Sequence, residues 1–182
     1  MLELRFHGRG GQGAVTSAEL LALSAIAQGD FAQAFPSFGP ERRGAPVVAF
    51  SRIDKKQIRN RTAVDKPNVV IVLDPSILSI ANTSEGLRED GIQIINTQRS
   101  AKVVRKEFDL KGRLVTVDAN RIANEEIGRV ITNTTMLGAL LKATEVVKKD
   151  LLIKELENRF GRIAAGNIKA FERSYKECVI EE

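Results

Sequence analysis

The hydrophobic positions of the chain alternate between a spacing typical of β-strands and one typical of α-helices. The run VVIVL over Val69–Leu73 is apolar throughout and predicts a strand that is buried on both faces. Shorter apolar runs predict strands at Leu2–Phe6, Phe31–Phe35, Ile92–Ile95 and Leu114–Val117. Amphipathic segments predict helices at Ala14–Gln28, Ile77–Arg88, Arg121–Val130, Thr135–Lys148, Leu151–Phe160 and Asn167–Cys178. This alternation predicts an α/β fold, a three-layer, Rossmann-like, doubly wound and mostly parallel sheet with C-terminal helices.

Two segments modify this simple alternation. Val47–Ile53 and Gln57–Ala63 flank the polar turn Asp54–Lys56, and together they predict an antiparallel β-hairpin added to the sheet. Pro36–Pro46 carries three prolines and two glycines, which predicts a loop. Because no repeat or linker interrupts the chain, residues 1–182 are expected to form one domain.

Composition narrows the possible functions. The 182 residues are 43% hydrophobic and 28% charged, as in an ordinary globular protein. One cysteine, Cys178, excludes an intrachain disulfide and cannot supply the ligands of an iron–sulfur cluster, and a single histidine, His7, excludes a histidine-rich metal site. Glu3 and Arg5 interrupt any signal-peptide pattern, and no apolar run has the length of a membrane span, so we expect a cytoplasmic protein without membrane association.

The net charge of +5 points to an anionic ligand or partner. Basic residues cluster at Arg42–Arg43, Arg52–Arg61 and Lys102–Arg113. A nucleic-acid-binding module would combine such a patch with aromatic residues for stacking, but aromatic residues make up only 5% of the chain. We therefore expect no nucleic-acid partner.

The most informative motif follows the first predicted strand and opens the first predicted helix. This glycine loop contains Gly8, Arg9, Gly10, Gly11, Gln12 and Gly13. Glycines allow a sharp turn and a close backbone approach, and the free amides of a helix N-terminus favour an anion such as a phosphate. Arg9 and Gln12 are expected at the rim of the ligand, where an arginine can bind phosphate through two hydrogen bonds.

Gly8, Gly10 and Gly13 also match the glycine fingerprint of dinucleotide-binding proteins, so a free-standing nucleotide-binding oxidoreductase is the alternative function. An NAD site needs an acidic residue at the end of the second strand. Here that strand runs into Pro36, and Asp30 precedes it. A third possibility is a structural subunit in which the glycines serve helix–strand packing alone.

A second group of candidate residues lies in the loop after the second strand, which a doubly wound sheet brings beside the glycine loop. This arginine loop contains Gly39, Pro40, Glu41, Arg42, Arg43 and Gly44. The two arginines are expected to bind phosphates or the carboxylates of a partner. Asn133 and Thr134 precede a further helix and are weaker candidates, because residues of this type commonly cap helices.

Three segments together resemble one known family: HGRGGQGAVTSAELLA (7–22), AFPSFGPERRGAPVVAF (34–50) and NTTMLGALL (133–141). Their order and spacing are similar to those of the gamma subunit of 2-oxoacid:ferredoxin oxidoreductases, above all the pyruvate/2-ketoisovalerate type. The resemblance extends from Leu2 to about Tyr175.

The resemblance implies an enzyme complex that converts pyruvate, coenzyme A and oxidised ferredoxin into acetyl-CoA, CO2 and reduced ferredoxin. It implies thiamine diphosphate, Mg²⁺ and iron–sulfur clusters on partner subunits of the alpha, beta and delta types, and no catalytic or metal-ligating residue in this chain. The gamma subunit would bind coenzyme A, pack near the thiamine site and be inactive alone. The resemblance assigns coenzyme A contacts to Gly8–Gly13 and Gly39–Gly44, with Asn133 and Thr134 as lesser contributors. 2-Ketoisovalerate and 2-oxoglutarate stay open as substrates, and flavodoxin as acceptor.

Overall fold

A computed structural model of the protein describes residues 1–37 and 44–182, which contain one seven-stranded sheet. Its strands are β1 (Leu2–Arg9), β2 (Phe31–Pro36), β3 (Pro46–Asp54), β4 (Val69–Val72), β5 (Ile92–Asn96), β6 (Arg113–Val117) and β7 (Val179–Glu181). The spatial order is β2-β3-β1-β4-β5-β6-β7. Strands β1, β4, β5 and β6 are parallel, whereas β3 is antiparallel to both β1 and β2, and β7 is antiparallel to β6.

The helices cover both faces of the sheet, which confirms the predicted doubly wound α/β architecture. They are α1 (Ala14–Ala27), α2 (Ala101–Phe108), α3 (Ala119–Ile127), α4 (Asn133–Thr144), α5 (Lys149–Phe160) and α6 (Ala164–Glu177), with short 3-10 turns at Pro75–Ser79 and Gly161–Ile163. Alternate strand residues face opposite sides. In β4, Ile71 joins the larger core under α1, α4, α5 and α6, whereas Val70 and Val72 join the smaller core under α2.

The predicted hairpin partner is wrong. Val47–Ile53 does form a strand, as part of β3, but β3 pairs with β2 on one side and β1 on the other. Residues 57–63 form no strand, because side chains bind their carbonyl groups: Gln33 donates to Ile58 O at 3.1 Å and Arg52 donates to Ala63 O at 3.2 Å.

The predicted helix Ile77–Arg88 is also wrong, since only the 3-10 turn Pro75–Ser79 forms there. The carbonyl groups of Thr83 and Glu85 accept hydrogen bonds from the buried Arg5 guanidinium instead of from helix amides. Gly86 has φ +69°, a left-handed conformation that ends any helical continuation. The sequence patterns did not predict α2 or β7.

Two arginines of the sheet, one in β1 and one in β3, are buried, although their sequence gives no sign of it. Arg52 is fully buried and donates from Nε to Glu3 Oε1 at 2.9 Å, while Arg5 is 9% exposed. The interpretation of Arg52–Arg61 as one surface basic cluster is therefore wrong for Arg52. Its charge stabilises the fold by pairing with Glu3, and it is not available to an external anion.

Candidate functional site

The candidate site lies where the carboxyl ends of β1 and β4 meet. These neighbouring parallel strands continue to opposite faces of the sheet: β1 leads to α1 over the larger core, and β4 leads to the turn Pro75–Ser79 over the smaller one. A crevice opens at such a switch point, and ligands of open α/β sheets bind there.

The glycine loop turns sharply at this crevice. Gly11 (φ +95°) and Gly13 (φ +83°) adopt conformations that other residues rarely take, while Gly8 lies within β1 itself. Gly11 is exposed, and no described atom lies within 4 Å of the position a Cβ would take there. Gly13 begins α1 without any side-chain cap. Within residues 1–37 and 44–182, the first-turn amides of α1 therefore have neither an intrahelical acceptor nor a capping side chain, which is the arrangement that binds anions.

Arg9 and Gln12, predicted at the rim of the ligand, form hydrogen bonds that brace the loop. The Arg9 guanidinium donates to Ser76 Oγ at 2.7 Å and to Gly44 O at 3.0 Å. Gln12 Nε2 donates to Asp74 Oδ2 at 2.7 Å, and Gln12 Oε1 accepts from the Arg9 amide at 2.8 Å.

Gly44, the last residue of the predicted arginine loop, lies beside the glycine loop as expected. Its amide donates to Gly10 O at 3.2 Å, and the Gly10 amide donates to Ala45 O at 2.8 Å. Gly39, Pro40, Glu41, Arg42 and Arg43 lie outside the described residues.

Asn133, some 120 residues further along the chain, is brought directly against the glycine loop. It begins α4, is 4% exposed, and its Nδ2 lies 2.6 Å from the position that a Cβ on Gly13 would occupy. The buried Oδ1 has no hydrogen-bond partner among the described residues. The N-termini of α1 and α4 thus meet at one point, with the Asn133 carboxamide between them.

Thr134 is placed differently. Its side chain is fully buried, and its hydroxyl donates to Asn167 Oδ1 of α6 at 3.0 Å. This hydrogen bond ties α4 to α6, and a contact between Thr134 and coenzyme A stays a prediction.

The sequence patterns missed Asp74 and Ser76. Ser76 donates to Asp74 Oδ1 from its amide at 2.9 Å and from its hydroxyl at 2.6 Å. A signal was available, because Asp74 directly follows the buried run Val69–Leu73 and therefore lies at the ligand-binding edge of a parallel sheet.

His7 lies in β1, two residues before Arg9. It is 7% exposed, and its Nε2 has no hydrogen-bond partner among the described residues. Burial, with a smaller contribution from the Arg5 charge, lowers the pKa of His7 to about 4. The imidazole is therefore neutral at pH 7.

Residues 1–37 and 44–182 contain no candidate metal site and no candidate membrane span. No group of three or more His, Cys, Asp or Glu side chains in these ranges lies close enough to hold a metal ion. None of the helices in this part of the chain has the length and apolar character needed to cross a membrane.

Comparison with known proteins shows the family to which this chain belongs. A model of the pyruvate ferredoxin/flavodoxin oxidoreductase family matches residues 3–177. The chain belongs to this family. It is 48% identical to the pyruvate/ketoisovalerate oxidoreductases common subunit gamma of Thermococcus kodakarensis, over 100% of both chains. It is 45% identical to the pyruvate synthase subunit PorC of Methanothermobacter thermautotrophicus, over 97% of this chain and 96% of that one.

The fold agrees with that of a solved relative. The crystal structure of pyruvate oxidoreductase subunit PORC from Thermotoga maritima matches with a TM-score of 0.89 and 42% identity, over 100% of this chain and 98% of that one. The resemblance inferred from the three sequence segments is confirmed. The chain is a gamma-type subunit of an oxidoreductase of the pyruvate ferredoxin/flavodoxin oxidoreductase family.

Proposed function

We propose that this gamma-type subunit binds coenzyme A for a pyruvate:ferredoxin oxidoreductase that also contains alpha, beta and delta subunits. Pyruvate is the proposed 2-oxoacid because the relatives of this chain at 45–48% identity carry pyruvate in their names. Some of these names also include ketoisovalerate. In this scheme coenzyme A supplies the thiol that takes up the acyl group. The single cysteine cannot supply the ligands of an iron–sulfur cluster, so the clusters are assigned to the partner subunits. The resemblance to the family assigns thiamine diphosphate and Mg²⁺ to those subunits as well.

One observation carries the proposal: the open N-terminus of α1 meets the Asn133 carboxamide at the β1–β4 crevice. The first-turn amides and Asn133 Nδ2 are hydrogen-bond donors, and the helix dipole adds partial positive charge. A diphosphate supplies the matching acceptor oxygens. Exposed Gly11 allows the ligand to approach the backbone closely, because no side chain stands above it.

The remaining candidate residues have more specific roles in this proposal. Gly8, Gly10 and Gly13 shape the loop, Arg9 and Gln12 brace it, and Gly44 lies beside it. Arg42 and Arg43 stay predicted phosphate ligands, on their place in the sequence and on the resemblance. This chain's contribution is to hold the nucleotide end of coenzyme A so that the thiol reaches the partner subunit, and such positioning lowers barriers without acid–base chemistry.

No specific contact favours the alternative of a free-standing dinucleotide-binding oxidoreductase. In dinucleotide-binding folds strand two pairs directly with strand one. Here β3 lies between β1 and β2, which moves the end of β2 about 5 Å further from the glycine loop. Asp30 lies at the other end of β2 and accepts a hydrogen bond from Lys55 at 2.6 Å.

The test compares Gly11→Ala with Gly29→Ala in the assembled enzyme. The two glycines have nearly the same φ, +95° and +96°, and neither has a described atom near the Cβ position, so both variants carry the same backbone strain. Only Gly11 lies in the loop, because Gly29 follows the far end of α1. A methyl group that excludes the ligand should raise the KM for coenzyme A about tenfold, equivalent to 1.4 kcal/mol.

The KM for pyruvate should be the same in both variants and in the wild type. Equal coenzyme A constants for Gly11→Ala and Gly29→Ala would contradict the proposed binding site. Binding of NAD(H) by the purified chain with turnover in the absence of partner subunits would instead favour the free-standing oxidoreductase.

A further inference from the structure

The carboxylate of Asp74 lies at the centre of the loops that surround the candidate site, and three hydrogen bonds hold it. Oδ1 accepts from the amide and hydroxyl of Ser76, at 2.9 and 2.6 Å. Oδ2 accepts from Gln12 Nε2 at 2.7 Å and forms an ion pair with Arg9 Nε at 3.4 Å. Both oxygens of the carboxylate are therefore bound by residues of the loops.

The hydrogen bonds of Asp74 continue into the glycine loop, and the direction from donor to acceptor is fixed at each of them. Because an ionised carboxylate only accepts, Oδ2 of Asp74 requires the donor end of the Gln12 amide to face it. The acceptor end, Oε1, then faces the Arg9 amide at 2.8 Å. The backbone amide of Gln12 also donates to Arg9 O at 3.0 Å, so one side-chain and one backbone hydrogen bond close the Arg9–Gln12 turn.

Arg9 extends the same network to a third segment. Its guanidinium donates to Ser76 Oγ and to Gly44 O, the latter at the end of the arginine loop. Asp74 therefore connects the end of β4, the glycine loop and Gly44. The side chain is 16% exposed. Burial acts to raise its pKa, but hydrogen bonds from Ser76 and Gln12 together with the Arg9 charge hold the pKa of Asp74 below its ordinary value.

We propose that Asp74 is a positioning residue for coenzyme A: through Gln12 it sets the turn that aims the amides of the glycine loop and of α1 at the ligand. The inference rests on the proposed function, since it concerns the same binding site. Asp74 touches no ligand in this scheme. It acts through the orientation of one amide group, and that orientation can be reversed by mutation.

The test is a charge-conserving exchange in the assembled enzyme. Asp74→Asn turns a donor group toward Gln12 Nε2 and breaks the chain, and Gln12→Glu places two carboxylates together and breaks it as well. The double variant Asp74→Asn/Gln12→Glu rebuilds the chain with opposite polarity: the new amide donates to the new carboxylate, whose second oxygen accepts from the Arg9 amide. The summed charge of the two side chains is unchanged from the wild type.

Asp30→Asn is the matched control. Asp30 also accepts from a glutamine, Gln28 Nε2 at 3.1 Å, but it lies at the opposite edge of the sheet. Coenzyme A binding is measured by isothermal titration calorimetry without pyruvate, beside KM and kcat for both substrates. Each single variant at the site should raise the Kd for coenzyme A about three- to tenfold, the effect of losing one or two hydrogen bonds. The double variant should return toward the wild-type value, and Asp30→Asn should leave it unchanged.

Three results would overturn the inference. Single variants with wild-type Kd values, beside a raised Kd in Gly11→Ala, would reject Asp74 as a positioning residue but keep the binding site. A double variant whose loss is the product of the two single losses would show that amide polarity is not the cause. If neither Gly11→Ala nor the Asp74 and Gln12 variants weaken coenzyme A binding, the proposed function fails together with the inference. Should Asp74→Asn prevent assembly, Ser76→Ala removes the hydroxyl donor to Oδ1 and the Oγ acceptor of Arg9 at an exposed residue. This variant is measured in the same way, with the same raised Kd expected.

Discussion

Replacement of Gly13 by alanine tests whether the two helix N-termini at the candidate site meet as closely as the structure shows. Two costs add at this position. The first is the left-handed conformation of Gly13, φ +83°, which costs a residue with a Cβ roughly 1–2 kcal/mol. The second is steric, because the new Cβ would lie 2.6 Å from Asn133 Nδ2 and 3.0 Å from both Asn133 Cβ and Cγ. Overpacking of this kind costs about 1–3 kcal/mol.

Gly29→Ala separates the two costs. Gly29 has φ +96° at the other end of the same helix and no described atom within 4 Å of its Cβ position, so this variant carries the conformational cost alone. The entropy change of the unfolded chain is the same for both replacements and cancels. The steric cost is then the difference between the two melting temperatures, about 3–9 °C at roughly 3 °C per kcal/mol for a chain of this size.

The assay is thermal unfolding of the purified chain, followed by circular dichroism for both variants and the wild type. Asn133→Ala in the Gly13→Ala background removes the Nδ2 and Cγ contacts, and it should recover part of the loss with a coupling energy of about 0.5–3 kcal/mol. If Gly13→Ala and Gly29→Ala lower the melting temperature equally, then Asn133 does not lie against Gly13 and the reasoning about a shared site at the two helix N-termini is refuted.

Two further predictions concern the buried ionisable side chains of β1. His7, whose pKa is lowered to about 4 by burial and by the Arg5 charge, should protonate first in the unfolded chain, so the free energy of unfolding should decrease as pH falls from about 6.5 to about 4. His7→Gln should remove that slope, and the one histidine signal in the NMR spectrum should show no protonation above pH 5. Glu3→Gln leaves the Arg52 charge buried without its partner and should cost about 3–5 kcal/mol in urea unfolding. Glu107→Gln, which removes an exposed ion pair, should cost less than about 1 kcal/mol, and equal costs would contradict the role of burial.

Much of the candidate site could be predicted from sequence because its central part is local. The strand, the glycine loop and the helix that follows are contiguous over Leu2–Ala27, and their hydrophobic spacing and glycine content depend on neighbours a few residues away. The buried strand at Val69–Leu73 was predicted for the same reason. The resemblance of three segments to the gamma-subunit family was equally accessible, because it depends on residue identity and order alone.

The two wrong predictions of secondary structure share one physical cause, which is that side chains from other segments bind the backbone. Ile77–Arg88 has the hydrophobic spacing of a helix, yet Arg5 takes the carbonyl groups of Thr83 and Glu85. Gln57–Ala63 has the composition of a strand, yet Arg52 and Gln33 occupy its carbonyl groups. Local spacing contains no information about which carbonyl groups a buried arginine will bind.

The sequence by itself determined the α/β alternation, the glycine loop and the family, since each of these follows from local pattern or residue identity. Only the tertiary structure decided that β3 separates β1 from β2, that Asn133 meets Gly13, and that Asp74 accepts a hydrogen bond from Gln12. Each of these depends on contacts between separate segments of the chain, and strand order and side-chain burial select such contacts when the whole chain packs. Arg52 is an example: its charge is visible in the sequence, but only packing against Glu3 decides that the charge is internal.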